Sequence, residues 1–479
     1  MSATTMPASR SQSGSGSLLI AAMMWIIVIM MTVPSDLNYA PNAAPSGDNG
    51  FSITRILWLA SLGVGMIFSF SRPTPSLRVW RHTNIFLLLF IALAILSTLW
   101  SIDPAQTIRA LVRMVSIFFA SLAVAAVAWN PRRYQQVLRP VLTFLLLGSI
   151  IFGMISPQLA IHQEKNPELL NAWHGLFLSK NALGAGASFT FVLWAHAWLS
   201  RETKRLYAVL GMLIAGACLI LSRSSTSTIT AILAVLTMLL LMRTPSSLRR
   251  SMPYLTSGLI ILILLVSLAM LKVVPGLDIL LAPIPAITGK DLTFSNRANI
   301  WAAVVDHVKI RPLMGSGYSA YWVVGSNPTP DAESYAIKSK LEGFYPGSAH
   351  NGYLQVLNDL GAVGLCCLLA FLYVFVRDSI RLYRIDRSQG ALFLVLFLQQ
   401  ATLNLTEPVW LNVLLVECLL VTMATTCLAR ALAEAKTQVQ RVPNKPAGLV
   451  VGSQNFSALT RPRGPTRGRA PQRPPSMRL

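Results

Sequence analysis

A histidine and an asparagine, His350 and Asn351, stand at the start of a long apolar segment, in a chain that has only six histidines. Other polar and basic residues border apolar segments in the same way: Arg297, Lys180, Arg223, His174 and Glu407. An imidazole can take a proton from a hydroxyl, and arginine binds phosphate oxygens in a two-pronged fork without losing its charge. These residue types predict group transfer from a lipid pyrophosphate to a hydroxyl.

Several motifs that would indicate other chemistry do not stand out in the sequence. The large loop at 275–350 has no Asp-x-Asp pair, and the chain shows no Gly-x-Ser-x-Gly elbow, His-Glu-x-x-His, phosphate-binding loop or dinucleotide fingerprint. The five cysteines lie inside apolar segments without metal-ligand spacing. We therefore expect no metal and no cofactor.

Composition places this chemistry in a membrane. Of 479 residues, 53% are hydrophobic and 12% are charged, and the mean hydropathy is +0.56, whereas soluble proteins carry roughly 25% charged residues. The net charge of +22 comes from arginines in short loops and in the C-terminal tail, so nucleic acid is not an expected partner. The chain is predicted to be an all-α polytopic membrane protein.

Twelve apolar segments set its organisation, because about 20 residues cross a bilayer as a helix. They lie near 17–33, 53–71, 84–101, 109–129, 138–156, 182–200, 206–222, 226–242, 254–274, 353–376, 390–405 and 409–430. The predicted regions are a disordered N-terminus (1–16), transmembrane helices one to nine (17–274), a large loop (275–350), helices ten to twelve (351–430) and a basic disordered tail (431–479).

Loop charge predicts the orientation. The even-numbered loops carry Arg72/Arg78/Arg81, Arg132/Arg133, Arg201/Lys204/Arg205, Arg243/Arg249/Arg250 and Arg377/Arg381/Arg384/Arg387, whereas loops 34–52 and 406–408 have no Lys or Arg. Both termini should be cytoplasmic and the loop 275–350 periplasmic. We expect a multi-pass protein of the bacterial inner (plasma) membrane.

Three stretches resemble the O-antigen ligase/polymerase family, which includes Wzy-type polymerases, lipopolysaccharide ligases and ExoQ-like exopolysaccharide polymerases. They are "NRANIWAAVVDHVKIRPLMGSGYSAYW" (296–322), "AHNGYLQVLNDLGAVGL" (349–365) and "HGLFLSKNALG" (174–184), and the last is most similar to the ExoQ-like branch. "NLTEPVW" (404–410) resembles an Asn-x-x-Glu element of that branch. The resemblance covers roughly 174 to 410 and implies a GT-C-like glycosyltransferase architecture.

The resemblance implies roles for individual residues. His350 matches a histidine that activates the acceptor hydroxyl, Arg297 one that engages the lipid pyrophosphate, and Lys180 a basic residue facing that headgroup. Asn351, Asn181 and Glu407 are expected to support the site. One departure is that "SRSSTST" (222–228) has Ser225 where the family often has a basic residue. Arg223 can replace that residue only in irregular backbone, because side chains two positions apart on a helix point about 200° away from each other around its axis.

Each residue also has a simpler interpretation. Arg297 would pair with a carboxylate such as Asp291 or Asp306, and Lys180 would extend to the membrane interface. Trp301 and Trp322 fit packing, and His174 fits a polar loop residue. Arg109 fits an interfacial anchor, and the glycines of "MGSGY" fit turns.

The expected reaction is polymerisation of polyprenyl-pyrophosphate-linked oligosaccharide repeats at the periplasmic face, by metal-independent inverting glycosyl transfer. The alternative is a ligase that moves the glycan to a lipid A core or another acceptor, and a more remote one is a lipid-linked oligosaccharide flippase. The family also implies chain-length regulators and export proteins as partners. Sugar repeat, linkage, acceptor and oligomeric state are not determined by the residues.

Overall fold

The computed structural model describes residues 10–34, 53–163, 169–270, 297–322 and 347–441. Its long helices are α1 (Arg10–Thr32), α2 (Ile53–Ser71), α3 (Pro73–His82), α4 (Ile85–Leu96), α5 (Pro104–Ala126), α6 (Arg133–Ile155), α8 (Lys180–Leu199), α9 (Arg205–Leu221), α10 (Ser225–Arg243), α12 (Met252–Met270), α13 (Arg297–Ile310), α14 (Gly352–Ile385), α15 (Arg387–Leu403) and α16 (Val416–Arg441). Single-turn helices are α7 (Pro157–Ala160) and α11 (Ser246–Arg249). Contacts define one compact unit over 1–437 and a second over 438–479.

Each of the twelve predicted apolar segments overlaps a helix, and the described residues form no β-strand. Seven helices are long and apolar enough to cross a membrane, namely α2, α5, α6, α8, α10, α14 and α16. The pair α3 and α4, bent by 93°, would make an eighth. The multi-pass character is therefore confirmed, whereas the count of twelve spans stays a prediction.

The ends of several regions differ from the prediction. α1 already begins at Arg10, within the segment 1–16, and α16 runs from Val416 to Arg441 rather than ending at 430. Residues 409–415, predicted to begin the last span, form turns before α16. Of the loop 275–350, residues 297–322 and 347–350 are described, and its expected helical stretch is α13.

Helix α15 lies at the centre of the bundle. Every residue from Gln389 to Ala401 is buried. This helix packs against α8, α10 and α14, and its apolar side chains fill the space between them. Residues 391–398 are all apolar, and a helix that is apolar all round can be buried on every side.

Helix α14 is broken at Gly361, and the break joins it to the segment that follows α13. Gly361 has φ +64° and ψ −165°. The backbone N–H groups of Ala362 and Val363 donate to the carbonyls of Pro312 (2.8 Å) and Leu313 (3.2 Å). Irregular backbone is tolerated between apolar helices when its polar groups are paired inside the protein.

The glycines of "MGSGY" complete this junction. Gly315 and Gly317 have φ of +66° and +100°, as the predicted turns require. The N–H groups of Ser316 and Gly317 donate to the carbonyls of Asn358 (3.0 Å) and Asp359 (2.9 Å), on the other side of the break. The two glycine-containing motifs are therefore structural partners, and together they fix α13 against α14.

Candidate active site

Three of the predicted site residues surround the carboxylate of a fourth, Glu407. Glu407 Oε1 accepts hydrogen bonds from Asn181 Nδ2 (2.8 Å) and Arg297 Nη2 (3.2 Å), and its Oε2 lies 3.6 Å from His350 Nδ1. The side chains of Arg297, Glu407 and His350 are 19%, 21% and 22% exposed, so they are sheltered but open to a ligand. We call Glu407, Arg297, Asn181 and His350 the Glu407 cluster.

The N-termini of α8 and α14 converge on this cluster. Lys180 and Asn181 are the first residues of α8, His350 comes two residues before α14, and Arg297 lies on α13. A helix N-terminus carries a partial positive charge and unpaired N–H groups, which favour anions. With the Arg297 guanidinium and the nearby half-buried Lys180, the surroundings of Glu407 suit a phosphate-bearing ligand.

His350 is held in an unusual backbone conformation. Its φ is +46°, in the left-handed region that costs a non-glycine residue about 1–3 kcal/mol unless neighbours impose it. The preceding residue, Ala349, accepts from Trp301 Nε1 (3.0 Å), and its N–H donates to Gln355 Oε1 (3.0 Å). These bonds from α13 and α14 fix the backbone directly before His350.

Asn351 acts on the backbone of α14 and does not reach the Glu407 cluster. Its Oδ1 accepts from the N–H groups of Tyr353 (3.0 Å) and Leu354 (3.1 Å), which makes it the N-cap, and it is only 1% exposed. The expected support by Asn351 therefore has a structural meaning: the cap sets where α14 begins, directly after His350.

Asn404 organises the loop that carries Glu407. Its Oδ1 accepts from the N–H groups of Val409 (3.1 Å) and Trp410 (3.0 Å), and its Nδ2 donates to the Gln400 carbonyl (2.8 Å). The Asn404 carbonyl accepts from the N–H of Gly352 (3.1 Å), which joins this loop to α14. The Asn-x-x-Glu element signalled Asn404, but its positioning role was missed.

Arg223 lies apart from the Glu407 cluster within the described residues. It occupies the turn between α9 and α10 with φ +50°, so its backbone is irregular, as a replacement for the residue at Ser225 would require. However, its Nη1 donates to the Leu170 carbonyl (3.0 Å), and it borders an open groove with Ser224, Ser225 and Thr228. Its assignment to the pyrophosphate therefore stays a prediction.

The simpler interpretations hold for some residues. Trp301 is buried and anchors Ala349. His174 is buried, its Nδ1 lies 3.0 Å from the Phe177 carbonyl, and its ring packs on that of His162. Asp306 pairs with Lys309 and not with Arg297. Asp291 lies outside the described residues.

In the part of the chain that the structure describes, no three His, Cys, Asp or Glu side chains are close enough to share a metal ion. Metal independence stays a prediction, because this observation concerns only side-chain positions and not the reaction.

Comparison with known proteins agrees with this geometry. Residues 210–369 match the family model described as "O-Antigen ligase", a range that includes Arg223, Arg297 and His350. The chain is also 27% identical over 317 residues to the exopolysaccharide production protein ExoQ of Rhizobium meliloti (strain 1021), covering 64% of this chain and 67% of the relative. The comparisons therefore confirm the resemblance of this chain to the O-antigen ligase family and to ExoQ.

Proposed function

We propose that this protein is a membrane glycosyltransferase that polymerises oligosaccharide repeats carried on polyprenyl pyrophosphate. The observation that carries this proposal is the Glu407 cluster, where an imidazole and a guanidinium share one carboxylate beside the N-termini of α8 and α14. Resemblance to ExoQ, an exopolysaccharide production protein, supports a polysaccharide product. The structural features suit a donor with a pyrophosphate and an acceptor with a hydroxyl.

In this mechanism the acceptor hydroxyl oxygen attacks the anomeric carbon of the donor sugar while the bond from that carbon to the pyrophosphate oxygen breaks. His350 Nδ1 faces Glu407 Oε2 at 3.6 Å, so the tautomer with a proton on Nδ1 leaves Nε2 to accept the proton of the hydroxyl. Attack opposite the leaving group inverts the anomeric configuration. General base catalysis of this kind contributes roughly 10²–10⁴-fold.

Arg297 stabilises the pyrophosphate as it leaves with its negative charge. Among the described residues its Nη2 bonds to Glu407, and a guanidinium has five N–H donors, so it can bond phosphate oxygens as well as Glu407. Lys180 adds charge from α8, and Arg223 is a further candidate, although it lies apart from the cluster. A well-placed group of this type is worth roughly 3–4 kcal/mol in the transition state.

The proposed topology has twelve spans, both termini in the cytoplasm and the Glu407 cluster at the periplasmic face of the inner membrane. Contacts between loops support the alternation. At the basic loops, Arg132 and the α6 residue Arg139 both pair with Glu202, and Arg387 donates to the Leu241 carbonyl. The opposite set of loops supplies the Glu407 cluster, which supports a topology with the two groups of loops at opposite ends of the helices.

A ligase is the second candidate, and the matching family model, described as "O-Antigen ligase", favours it. Ligation to a lipid A core or another acceptor would use the same donor site and the same histidine. The two functions differ in the acceptor, and chain-length regulators or export proteins belong to the polymerase proposal alone.

The test uses the purified full chain with a polyprenyl-pyrophosphate-linked repeat in detergent, with EDTA present. We expect a ladder of products on a gel from the wild type and none from His350→Ala. His82→Ala is the matched control, because His82 lies on α3, away from the cluster, and bonds the Arg78 carbonyl; it should build the same ladder as the wild type.

Three results would contradict parts of the proposal. A ladder from His350→Ala removes the histidine from the chemistry. A ladder that requires added divalent metal contradicts metal independence. Transfer of a single glycan to lipid A core without a ladder indicates ligation in place of polymerisation.

A further inference from the structure

Helix α3 is a short basic helix that lies across the end of an apolar one. Its sequence was predicted as the second loop, and the structure forms a helix there, Pro73–His82. Only Arg72 separates it from α2, which is long and apolar enough to cross a membrane, and it is bent by 93° from the apolar stretch Ile85–Leu99 that follows. A helix turned through a right angle between two apolar helices lies along the surface of the bilayer that they enter.

One face of α3 packs on the bundle and another is exposed. Ser76 and Val79 are buried, and α3 packs against α5. Leu77 and Trp80 are 49% and 42% exposed, and residues three positions apart lie on the same side of a helix. The edge of the Trp80 ring contacts Phe118 of α5, with 5.3 Å between the ring centroids. The exposed face therefore carries two large apolar side chains, one of which is partly held by the bundle.

Positive charge accompanies this face without acidic residues to neutralise it. Arg72 is the N-cap of α3, and Arg78 and Arg81 lie on the helix, whereas residues 49–102 contain no Asp or Glu. Among the residues that the structure describes, no carboxylate lies within ion-pair distance of these three arginines. Like charges three positions apart on a helix repel each other, so Arg78 and Arg81 favour an anionic ligand.

This combination of residues matches a membrane surface with negatively charged headgroups. Helices that lie in the interface combine Lys or Arg with Trp and Leu, and Trp is enriched at the level of the headgroups. Arginine binds phosphate oxygens through paired N–H donors. A zwitterionic surface would cover Leu77 and Trp80 but would leave the arginines without a net counter-charge, so charge complementarity favours an anionic lipid.

We propose that α3 is a binding site for anionic phospholipid. Arg72, Arg78 and Arg81 bind the phosphates of the headgroups, while Leu77 and Trp80 pack against the upper part of the acyl chains. This site is independent of the proposed glycosyl transfer, because α3 contributes no residue to the Glu407 cluster.

The test measures lipid binding to the purified full chain by native mass spectrometry, with phosphatidylglycerol and phosphatidylcholine as the two probes. Arg78→Gln/Arg81→Gln removes two charges from α3, and Arg81→Gln alone is a smaller change at an exposed position. Arg201→Gln/Arg205→Gln is the matched control, because both of its arginines are exposed in another basic loop and the change in net charge is the same.

We expect the wild type to bind phosphatidylglycerol more tightly than phosphatidylcholine, by roughly tenfold or more. Arg81→Gln should weaken phosphatidylglycerol binding about fivefold and the double variant of α3 about 25-fold, since each arginine near an anionic surface contributes about a factor of five. Phosphatidylcholine binding should not change, and the control variant should match the wild type. Equal losses in the control variant, or a wild type without preference between the two lipids, overturn the proposal.

The position of Trp80 is measured separately, by tryptophan fluorescence in vesicles of phosphatidylglycerol with brominated acyl chains. Bromine quenches tryptophans that contact it, and Trp80→Phe keeps an aromatic ring beside Phe118. A larger quenched fraction in the wild type than in Trp80→Phe supports the proposal, and equal fractions overturn it. A dimer in detergent that Leu77→Arg dissociates would assign the exposed face to a second copy of the chain and would also overturn it.

Discussion

Glu407→Gln tests the arrangement around the site most directly. Gln keeps an oxygen that can accept from Asn181 Nδ2 but removes the charge that faces Arg297 at 3.2 Å and His350 at 3.6 Å. The guanidinium then lacks its anchor, and the imidazole lacks the carboxylate that favours a proton on Nδ1 and stabilises the imidazolium formed during transfer.

The expected loss follows from these two contacts. The Arg297 contact is a hydrogen bond to a charged group, a type worth about 1.5–3 kcal/mol, whereas the His350 contact at 3.6 Å is electrostatic only; partial exposure reduces such pairs toward about 1 kcal/mol. Two contacts at about 1–1.5 kcal/mol each give about 2–3 kcal/mol. Since 1.36 kcal/mol corresponds to a tenfold change in rate, kcat/KM for repeat transfer should fall roughly 30- to 150-fold.

The assay measures initial rates of transfer from the lipid-linked repeat by wild type, Glu407→Gln and Glu407→Asp. Asp306→Asn is the matched control, because that carboxylate pairs with Lys309 on the exposed side of α13 and lies outside the cluster; its rate should equal the wild type. A Glu407→Gln enzyme with the wild-type rate and the wild-type Tm would refute the role of this carboxylate in orienting both partners.

Three further predictions concern the pyrophosphate, the packing of the site and acid stability. Arg297→Lys keeps the charge but loses the paired N–H donors of the guanidinium, so the Kd for polyprenyl pyrophosphate should rise about tenfold. Arg205→Lys, at an exposed position, should leave this Kd unchanged. An equal rise in both variants would indicate a nonspecific charge effect. Gly352→Ala should lower the Tm in detergent strongly, because the added Cβ would lie 1.6 Å from Asn404 Oδ1. Gly258→Ala is the neutral control, because no atom lies within 4 Å of the Cβ added there. Equal Tm values in the two variants would contradict the close approach of Gly352 to Asn404. Burial opposes ionisation of Glu202, but the neighbouring His196 and Arg139 and hydrogen bonds from Gln135 and Arg139 outweigh it and hold the pKa of this carboxyl below its usual value of 4.5. The stabilisation that the ionised carboxylate contributes is complete above that value and is lost as the pH falls through the folded pKa. The Tm should therefore fall below about pH 4.5 less steeply in Glu202→Gln than in the wild type, and parallel curves would refute this.

Helix positions, and the set of residues that meets at the Glu407 cluster, were predictable from the sequence. Apolar runs of 15 to 20 residues define helices locally. When such a run is buried or faces lipid, its backbone groups must be paired within the segment, and a helix pairs them. Each predicted run therefore overlaps a helix. The residues Arg297, Asn181, Glu407 and His350 came from motifs, and the structure brings them together. Region ends were less accurate, since a polar extension such as 431–441 can continue a helix already started in α16.

The tertiary structure alone decided how these residues act. Glu407 joins partners 110 and 226 residues away, and no local pattern encodes such a contact. The break at Gly361 is stable because the segment after α13 supplies its missing hydrogen bonds, which the glycine pattern of either motif does not specify. Asn351 became a helix cap, and Arg223 remained outside the cluster, because both outcomes depend on where separate helices meet. The sequence thus determined which residues could do the chemistry, and long-range packing determined which of them meet.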